Sequence, residues 1–293
     1  MLDFRIYTFL AVCRYMNYTK AADELHITQP AVSQHIHYLE NYYGTKLFTL
    51  DGKKIQLTPS GELLFLTATA LKNDEKILID RIKNDTAVQI PLVFGVTMTI
   101  GEYIISGPLS EYMHNHPETQ VKMIIGNTSE LLADLRSGDI HFALVEGYFP
   151  ADEYDYMTYS TEDFIAVCSS KHVFEKEPNR LYDLTSERLL VRESGSGTRD
   201  ILEKNLTVKN IAISDFKQIA EISSMHTIVQ LLLRDCGISF MYKAAVRQEL
   251  NDGSLREIKL ADFRMQHNFT FIWNKGSIYS EDYRDICAEL QKM

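Results

Sequence analysis

The chain has 293 residues, more than one hydrophobic core usually fills, so more than one domain is expected. Hydrophobic residues make up 45% and charged residues 24%, a globular balance that excludes collagen-like, wholly disordered and disulfide-scaffold chains. The formal net charge is -10, yet residues 1–60 hold six Lys/Arg against five Asp/Glu while the remainder holds 24 against 35, so the first segment can still approach a polyanion.

Leu2, Ile6, Phe9, Leu10 and Cys13 recur at three- and four-residue spacing and predict one apolar face of a first helix ending near Met16-Asn17. A short second helix is expected from about Thr19 to Leu25, where Ala21 and Ala22 let another helix cross closely. His26-Ile27-Thr28 forms a tight turn, with Ile27 placed to plug the junction and Thr28 suited to cap a third helix whose first turn accepts Pro30. That helix reaches about Tyr43. At 100° per residue Val32, Ile36, Leu39 and Tyr43 share one side, whereas Pro30, Ser33, Gln34, His37 and Asn41 share the other. The second face is polar and nearly uncharged, which suits a helix reading base edges with short hydrogen-bonding groups. After Gly44, residues 46–58 read as two short strands around an Asp51-Gly52 turn with Lys53 and Lys54 at the tip. The pattern is a winged helix-turn-helix.

The same residues carry a family resemblance: Phe9-Leu10-Ala11-Val12, the run from Tyr18 to Ile36 (Ala21-Ala22-Asp23-Glu24-Leu25, then Thr28-Gln29-Pro30-Ala31-Val32-Ser33), Leu39-Glu40, Gly44, Leu47-Phe48 and Leu57-Thr58-Pro59-Ser60-Gly61. In these positions the chain resembles the LysR-type transcriptional regulators across the whole DNA-binding domain. The resemblance implies that Gln29, Pro30 and Ser33 sit at the major groove, that Thr28 reaches phosphate, and that the Lys53-Lys54 wing tracks the backbone or minor groove; Gln34 and His37 lie on the same outward face. Where the family often has arginines this chain has Gln34, His37 and Tyr38, and Thr49-Leu50 follows the Leu-Phe pair. Fewer cations give a shallower salt slope, so affinity leans on joining several half-sites in one oligomer.

Thr58 is suited to cap a further helix with Pro59 in its first position. Leu64, Ala68, Leu71, Glu75, Leu78 and Ile82 then follow an alternating four-three spacing, a coiled-coil seam with one charged member. Lys83-Asn84-Asp85-Thr86 reads as a domain boundary. A dimer built on this seam presents two DNA-binding domains to a two-fold operator, which the resemblance also implies.

From Ile90 onward short apolar runs alternate with helical stretches: a strand over 91–96, a helix over 101–114, a strand over 120–126, a helix over 129–137 and a strand over 142–145. Asp163 to Cys168, Leu189 to Val191, Gly237 to Met241 and Phe269 to Trp273 continue the strands, and a final helix runs from Ser280 to Leu290. This is an α/β pattern, doubly wound, in two lobes with two crossovers, like the periplasmic-binding-protein architecture that the family carries. The expected domains are 1–58 (winged helix-turn-helix), 59–87 (linker and dimerisation helix), 88–162 with 266–293 (lobe I) and 163–265 (lobe II). A ligand is expected between the lobes, beyond the carboxyl ends of the strands.

Three places suit an anion there. Thr97, Thr99 and Ile100 lie where the first strand opens into a helix. Arg192-Glu193-Ser194-Gly195-Ser196-Gly197-Thr198-Arg199 follows a strand and precedes a helix, offering Ser194, Ser196, Thr198 and Arg199, where Arg192 and Arg199 could equally pair with acidic side chains of this chain. Ser223-Ser224 begins another helix. Unpaired amides and the macrodipole at helix starts attract negative charge. The Ser-Gly-Ser-Gly-Thr-Arg stretch also looks like the version in LysR-type regulators of inorganic sulfur and carbon assimilation, which hints at sulfite, sulfate-related or phosphorylated metabolites.

Enzyme readings lack their motifs. Ser196 lacks the flanking glycines of a nucleophile elbow. Asp200 stands where a dinucleotide fingerprint wants a glycine, and Gly52-Lys53-Lys54 lacks the upstream glycine of a phosphate loop. His35 with His37, and His114 with His116, diverge on a helix and gain no completing ligand. No catalytic residue, metal or cofactor is expected. Cys13, Cys168, Cys236 and Cys287 lie far apart, as reduced core thiols do. No apolar run approaches the roughly 18 residues of a membrane span, and Asp3 precedes any apolar stretch, so a cytoplasmic location is expected. The sequence thus points to a DNA-binding regulator, dimeric or tetrameric, that senses a small anionic metabolite. Its rival is a small-molecule sensor or carrier that has lost specific DNA binding.

Overall fold

The computed structural model describes residues 2–51, 54–83 and 91–292. The first three helices are α1 (Phe4–Tyr15), α2 (Tyr18–Leu25) and α3 (Gln29–Tyr43). Each begins at a side-chain cap: Asp3 accepts from the amide of Arg5, Asn17 from Lys20 and Thr28 from Ala31, satisfying donors that a helix start leaves unpaired. Ala21 and Ala22 are buried where α2 meets its neighbours, and Phe9, Val12, Val32, Ile36 and Leu39 fill the small core between the helices. Leu2 lies ahead of α1 rather than on it. Ile27 is exposed and plugs nothing, and Tyr43 is also exposed. The inner face of α3 is closed instead by Glu40, whose buried carboxylate accepts from the Leu47 amide at 3.1 Å and from Lys46 Nζ at 2.6 Å. The wing follows as β1 (Phe48–Asp51) and β2 (Lys54–Leu57), paired antiparallel with Phe48 opposite Leu57.

A 25-residue helix, α4 (Pro59–Lys83), leaves the wing. Thr58 Oγ1 accepts from the Gly61 amide at 3.0 Å and donates to the Lys46 carbonyl at 2.6 Å, so the cap also fastens the helix to the wing. The expected seam divides along its length. Ala68 is buried in the N-terminal core and Leu64 packs on it, while Leu71, Leu78 and Ile82 are exposed.

The C-terminal part is built on one sheet in the strand order β4 (Val121–Gly126), β3 (Leu92–Thr97), β5 (Phe142–Val145), β11 (Met265–Asn274), β6 (Tyr154–Ser169), β9 (Ile238–Tyr242), β7 (Arg188–Val191), β8 (Gln218–Glu221), with β10 (Leu255–Glu257) pairing β6. The outer strands are parallel on each side, β3 with β4 and β5, and β7 with β8 and β9. The two central strands are antiparallel to each other and to their neighbours and run through both halves. Their pairing slips at Phe269/Thr270, an irregularity near the junction. Hence β6 is 16 residues long, where the sequence shows only its all-apolar second part: residues 154–162 alternate in burial and carry charge. The helix expected over 101–114 is two helices, α5 (Met98–Tyr103) and α6 (Ser106–Asn115). The others are α7 (Thr128–Ser137), α8 (Gly197–Val208), α9 (Met225–Leu233), α10 (Arg247–Asn251) and α11 (Ser280–Lys292).

One apolar core runs through both halves, from Phe94, Phe142 and Trp273 on one side through Phe164, Tyr242 and Phe269 to Leu189 and Phe240 on the other. The linker helix grips this part of its own chain. Asn73 Nδ2 donates to the Leu135 carbonyl at 2.8 Å, Lys76 Nζ to the Gly138 carbonyl at 2.9 Å, and Asp74 accepts from Ser277 Oγ at 2.6 Å and the Ile278 amide at 2.9 Å. Between them Glu75 accepts from the Leu2 amide and from Tyr7 Oη. Consecutive residues of one helix therefore hold α1 and the C-terminal part at once. Among the described residues no helix is long and apolar enough to cross a membrane, and no group of His, Cys, Asp and Glu is arranged to hold a metal ion.

Candidate nucleic-acid interface and inter-lobe cleft

Thr28 caps α3 from an exposed position, and Gln29, Pro30, Gln34 and His37 are also exposed, with Ser33 half-buried among them. Gln29 Nε2 donates to Ser33 Oγ at 3.0 Å across one helical turn, so two of the expected base-reading groups are already oriented together. A groove of about 590 Å³ separates this face from the wing and is lined by Gln29, Ser33, His37, Lys46, Thr49 and Ile55, among others. Lys54 is exposed on the wing; Lys53 falls outside the described residues. Other cations nearby are engaged. Arg5 pairs with Asp3 at 2.8 Å and its guanidinium lies 3.9 Å from the centroid of the Tyr38 ring, while Arg14 pairs with Glu24 at 2.8 Å. His35 meets Thr8 Oγ1 at 2.9 Å, and burial, assisted by Arg5, lowers its pKa, so this ring is neutral at neutral pH.

The cleft forms where strand ends from both halves meet. From the first half come Thr97 at the end of β3 and Thr99 after it, Thr128 after β4, and Glu146-Gly147 after β5; from the second come Arg192 after β7 and Ser196-Gly197-Thr198 at the start of α8. Glu146 is 2% exposed and its Oε1 accepts from Thr99 Oγ1 at 3.2 Å and from Thr198 Oγ1 at 2.7 Å, so one carboxylate oxygen bridges the two halves. Gly147 and Gly197 stand back to back. A Cβ at Gly197 would lie 2.9 Å from Gly147 Cα and 3.1 Å from Thr128 Oγ1. Tyr242, at the end of β9, donates from its hydroxyl to the Glu146 carbonyl at 3.4 Å.

Burial pushes the Glu146 carboxyl above the usual carboxylate range, against its two hydroxyl donors and Arg192, and Glu193 adds to the rise. Burial likewise drives the Tyr242 phenol well up, with Glu146 contributing. Arg192 is buried but spends Nε and Nη2 on Glu193, each at 2.8 Å. Among the described residues, the buried side-chain atoms without a hydrogen-bond partner include Thr97 Oγ1, Thr128 Oγ1, Glu146 Oε2, Arg192 Nη1 and Ser196 Oγ. Such atoms are costly in a protein interior.

The structure therefore brings Thr99 and Thr198 together on Glu146 and buries Thr97 and Ser196, each two residues before one of them, together with Ile100. It does not bring in the rest. Arg199 is committed to Glu203 at 2.7 Å, Glu221 at 2.6 Å and the Arg192 carbonyl at 3.1 Å, because its side chain runs along α8 rather than into the cleft. Ser194 is exposed, and Ser224 serves as the N-cap of α9, accepting from the Thr227 amide at 3.2 Å. Sequence reasoning missed Glu146 and Thr128. The available signal for Glu146 was its place as the first polar residue after the apolar strand Phe142–Val145; Thr128 follows Asn127, whose capping box with Glu130 starts α7.

Two family models match the chain: "Bacterial regulatory helix-turn-helix protein, lysR family" over residues 5–62 and "LysR substrate binding domain" over residues 88–293. Among curated proteins, the transcriptional regulator CysL of Bacillus subtilis is 27% identical over 267 residues, covering 90% of this chain and 88% of CysL. The transcriptional activator CmpR of Synechocystis is 29% identical over 288 residues, covering 94% and 91%. The full-length structure of LysG from Corynebacterium glutamicum, described with bound effector Arg, superposes with a TM-score of 0.66 at 15% identity, covering 100% of this chain and 98% of LysG, a likeness of fold.

Proposed function

Because the chain belongs to the lysR family of bacterial regulatory helix-turn-helix proteins, we propose that α3 reads an operator's major groove while the inter-lobe cleft senses a small anionic metabolite and changes the geometry of paired DNA-binding domains. Thr28, Gln29, Pro30, Ser33, Gln34 and His37 meet the DNA, with the wing lysines on its backbone. Thr97, Thr99, Ser196 and Thr198 meet the effector, and Arg192 offers it one remaining guanidinium nitrogen. Lobe I comprises 88–162 with 266–293 and lobe II 163–265, swinging about β6 and β11. A second copy docks along the exposed side of α4, giving a dimer or a tetramer. The protein acts in the cytoplasm and carries out no reaction.

The observation that carries this reading is α4 itself, which holds α1 through Glu75 and the sensing part through Asn73 and Asp74. A shift at the cleft thereby has a stiff path to the DNA-binding domain, and by linkage DNA must alter effector affinity by the same factor. Operator retardation titrated at several salt concentrations tests it. Specific binding with a modest negative salt slope is expected; no specific retardation, or a slope near zero, favours a sensor or carrier that does not bind DNA.

A further inference from the structure

Glu146 stands inside the cleft just assigned to an anion, and its environment does not suit a bare carboxylate. It is 2% exposed and joins no ion pair among the described residues. An unpaired buried charge of this kind is disfavoured by several kcal/mol, so such a group holds its proton. The charged groups around it are Arg192 from the end of β7, already doubly bonded to Glu193, and Glu193 itself; Tyr242 from β9 adds a phenol whose pKa is raised well above its ordinary value. With Glu146 ionised, this set is net negative and would repel an incoming acid. The two oxygens of Glu146 also differ: Oε1 is saturated by Thr99 and Thr198, whereas Oε2 has no partner. Placed on Oε2, a proton turns the one unsatisfied carboxylate atom into a donor. It then joins Arg192 Nη1 and the hydroxyls of Thr97, Thr128 and Ser196 as buried groups able to donate.

We propose that the cleft binds a small oxyanion together with one proton, shared between Glu146 Oε2 and an oxygen of the ligand. The inference rests on the sensing role assigned to the cleft and names its ligand class: a singly charged carboxylate, sulfuryl or phosphoryl group. No bond of the ligand is made or broken; the proton is the one Glu146 holds in the free protein, and at pH values where the free carboxyl has lost it, it is taken from solvent and returned on release. The raised pKa of the carboxyl, caused first by burial, agrees with this arrangement.

The test uses the full chain and three singly charged probes, acetate, methanesulfonate and dimethyl phosphate, in titration calorimetry over a pH series with buffers of differing ionisation enthalpy. Where the free protein keeps Glu146 protonated no proton uptake is expected; above that range uptake rises towards one proton per anion and affinity falls about tenfold per pH unit. E146Q keeps an acceptor for Thr99 and Thr198 and a permanent donor at the Oε2 position. It should bind the same probes with no proton uptake and no pH dependence. Without any ligand, E146Q should melt above the wild type, and the gap should widen as pH rises above the ordinary glutamate value, because only the wild type must keep its folded carboxyl protonated. Anion binding to the wild type whose affinity does not fall at any pH in the series, failure of all three probes on wild type and variant alike, or an E146Q that is less stable with no pH trend each overturns the proposal. Loss of operator binding by the wild type would instead sink the regulator reading, so the two failures are distinguishable.

Discussion

Gly197→Ala probes the contact on which the closed arrangement of the two halves depends. The added Cβ would stand 2.9 Å from Gly147 Cα and 3.0 Å from Gly147 N. Carbon atoms in contact settle at about 3.5–4.0 Å, so the two backbones must separate by roughly 0.5–1 Å. Neither obstacle can rotate away, since both are main chain; only Thr128 Oγ1, at 3.1 Å, can turn aside. Overpacking of this kind typically costs about 1–3 kcal/mol. The separation also stretches the 2.7 Å bond from Thr198 to Glu146 that joins the halves. Equilibrium denaturation should show the loss, and for a chain of this size each kcal/mol lowers the melting temperature by about 2–4 °C. Gly107→Ala is the control, because a Cβ there meets nothing within 4 Å and alanine is favoured over glycine inside a helix by up to about 1 kcal/mol. If Gly197→Ala is as stable as the wild type, and a structure of it keeps the Thr198–Glu146 bond, the two halves are not pressed together as described and the reasoning fails.

Ser33→Ala removes a base-reading hydroxyl and the partner of Gln29, and should weaken operator binding by about 1–3 kcal/mol while leaving the anion-induced rise in melting temperature unchanged; equal operator binding removes Ser33 from the interface. Asp74→Ala leaves the Ser277 hydroxyl and the Ile278 amide without their acceptor and should cost about 1–3 kcal/mol in denaturation. The same variant should bind operator and anion separately yet lose the effect of one on the other; preserved coupling shows that the signal bypasses α4. His35 titrates below its ordinary value of 6.5 because it is buried, so the unfolded chain takes up its proton first and stability is lost as pH falls through that value. His35→Gln should flatten this acid-side decline in melting temperature, and an unchanged slope refutes the assignment.

Local rules were sufficient for much of this molecule. Thr28 and Pro30 fix the start of α3, Gly44 in the left-handed region (φ 68°) fixes its end, and the four- and three-residue spacing of Val32, Ile36 and Leu39 fixes which face turns inward. Thr58-Pro59 fixes the start of α4, and the apolar runs expected over 91–96 and 142–145 mark the outer strands β3 and β5, because caps, turns and burial period depend only on near neighbours. Ile27 and Tyr43 escaped those rules, since helix periodicity says which side a residue faces but not whether anything covers it.

The cleft was legible only in part, for the same reason. Thr97, Thr99, Ser196 and Thr198 announce themselves as hydroxyls at a strand end and a helix start, but what Thr99 and Thr198 meet is a carboxylate that follows another strand, 47 residues from Thr99 and 52 from Thr198. Arg199 carries the same charge in sequence whether it faces a ligand or Glu203 and Glu221, and only the fold, which brings Glu221 of β8 within reach of α8, chose the latter. Composition, caps and period thus determined most of the elements and their order, but not the break between α5 and α6 or the first part of β6. Which charges are paired, which polar atoms are left without partners, and where two glycines let the halves touch were decided by the tertiary structure, because desolvation and pairing depend on groups that chain folding brings from far apart.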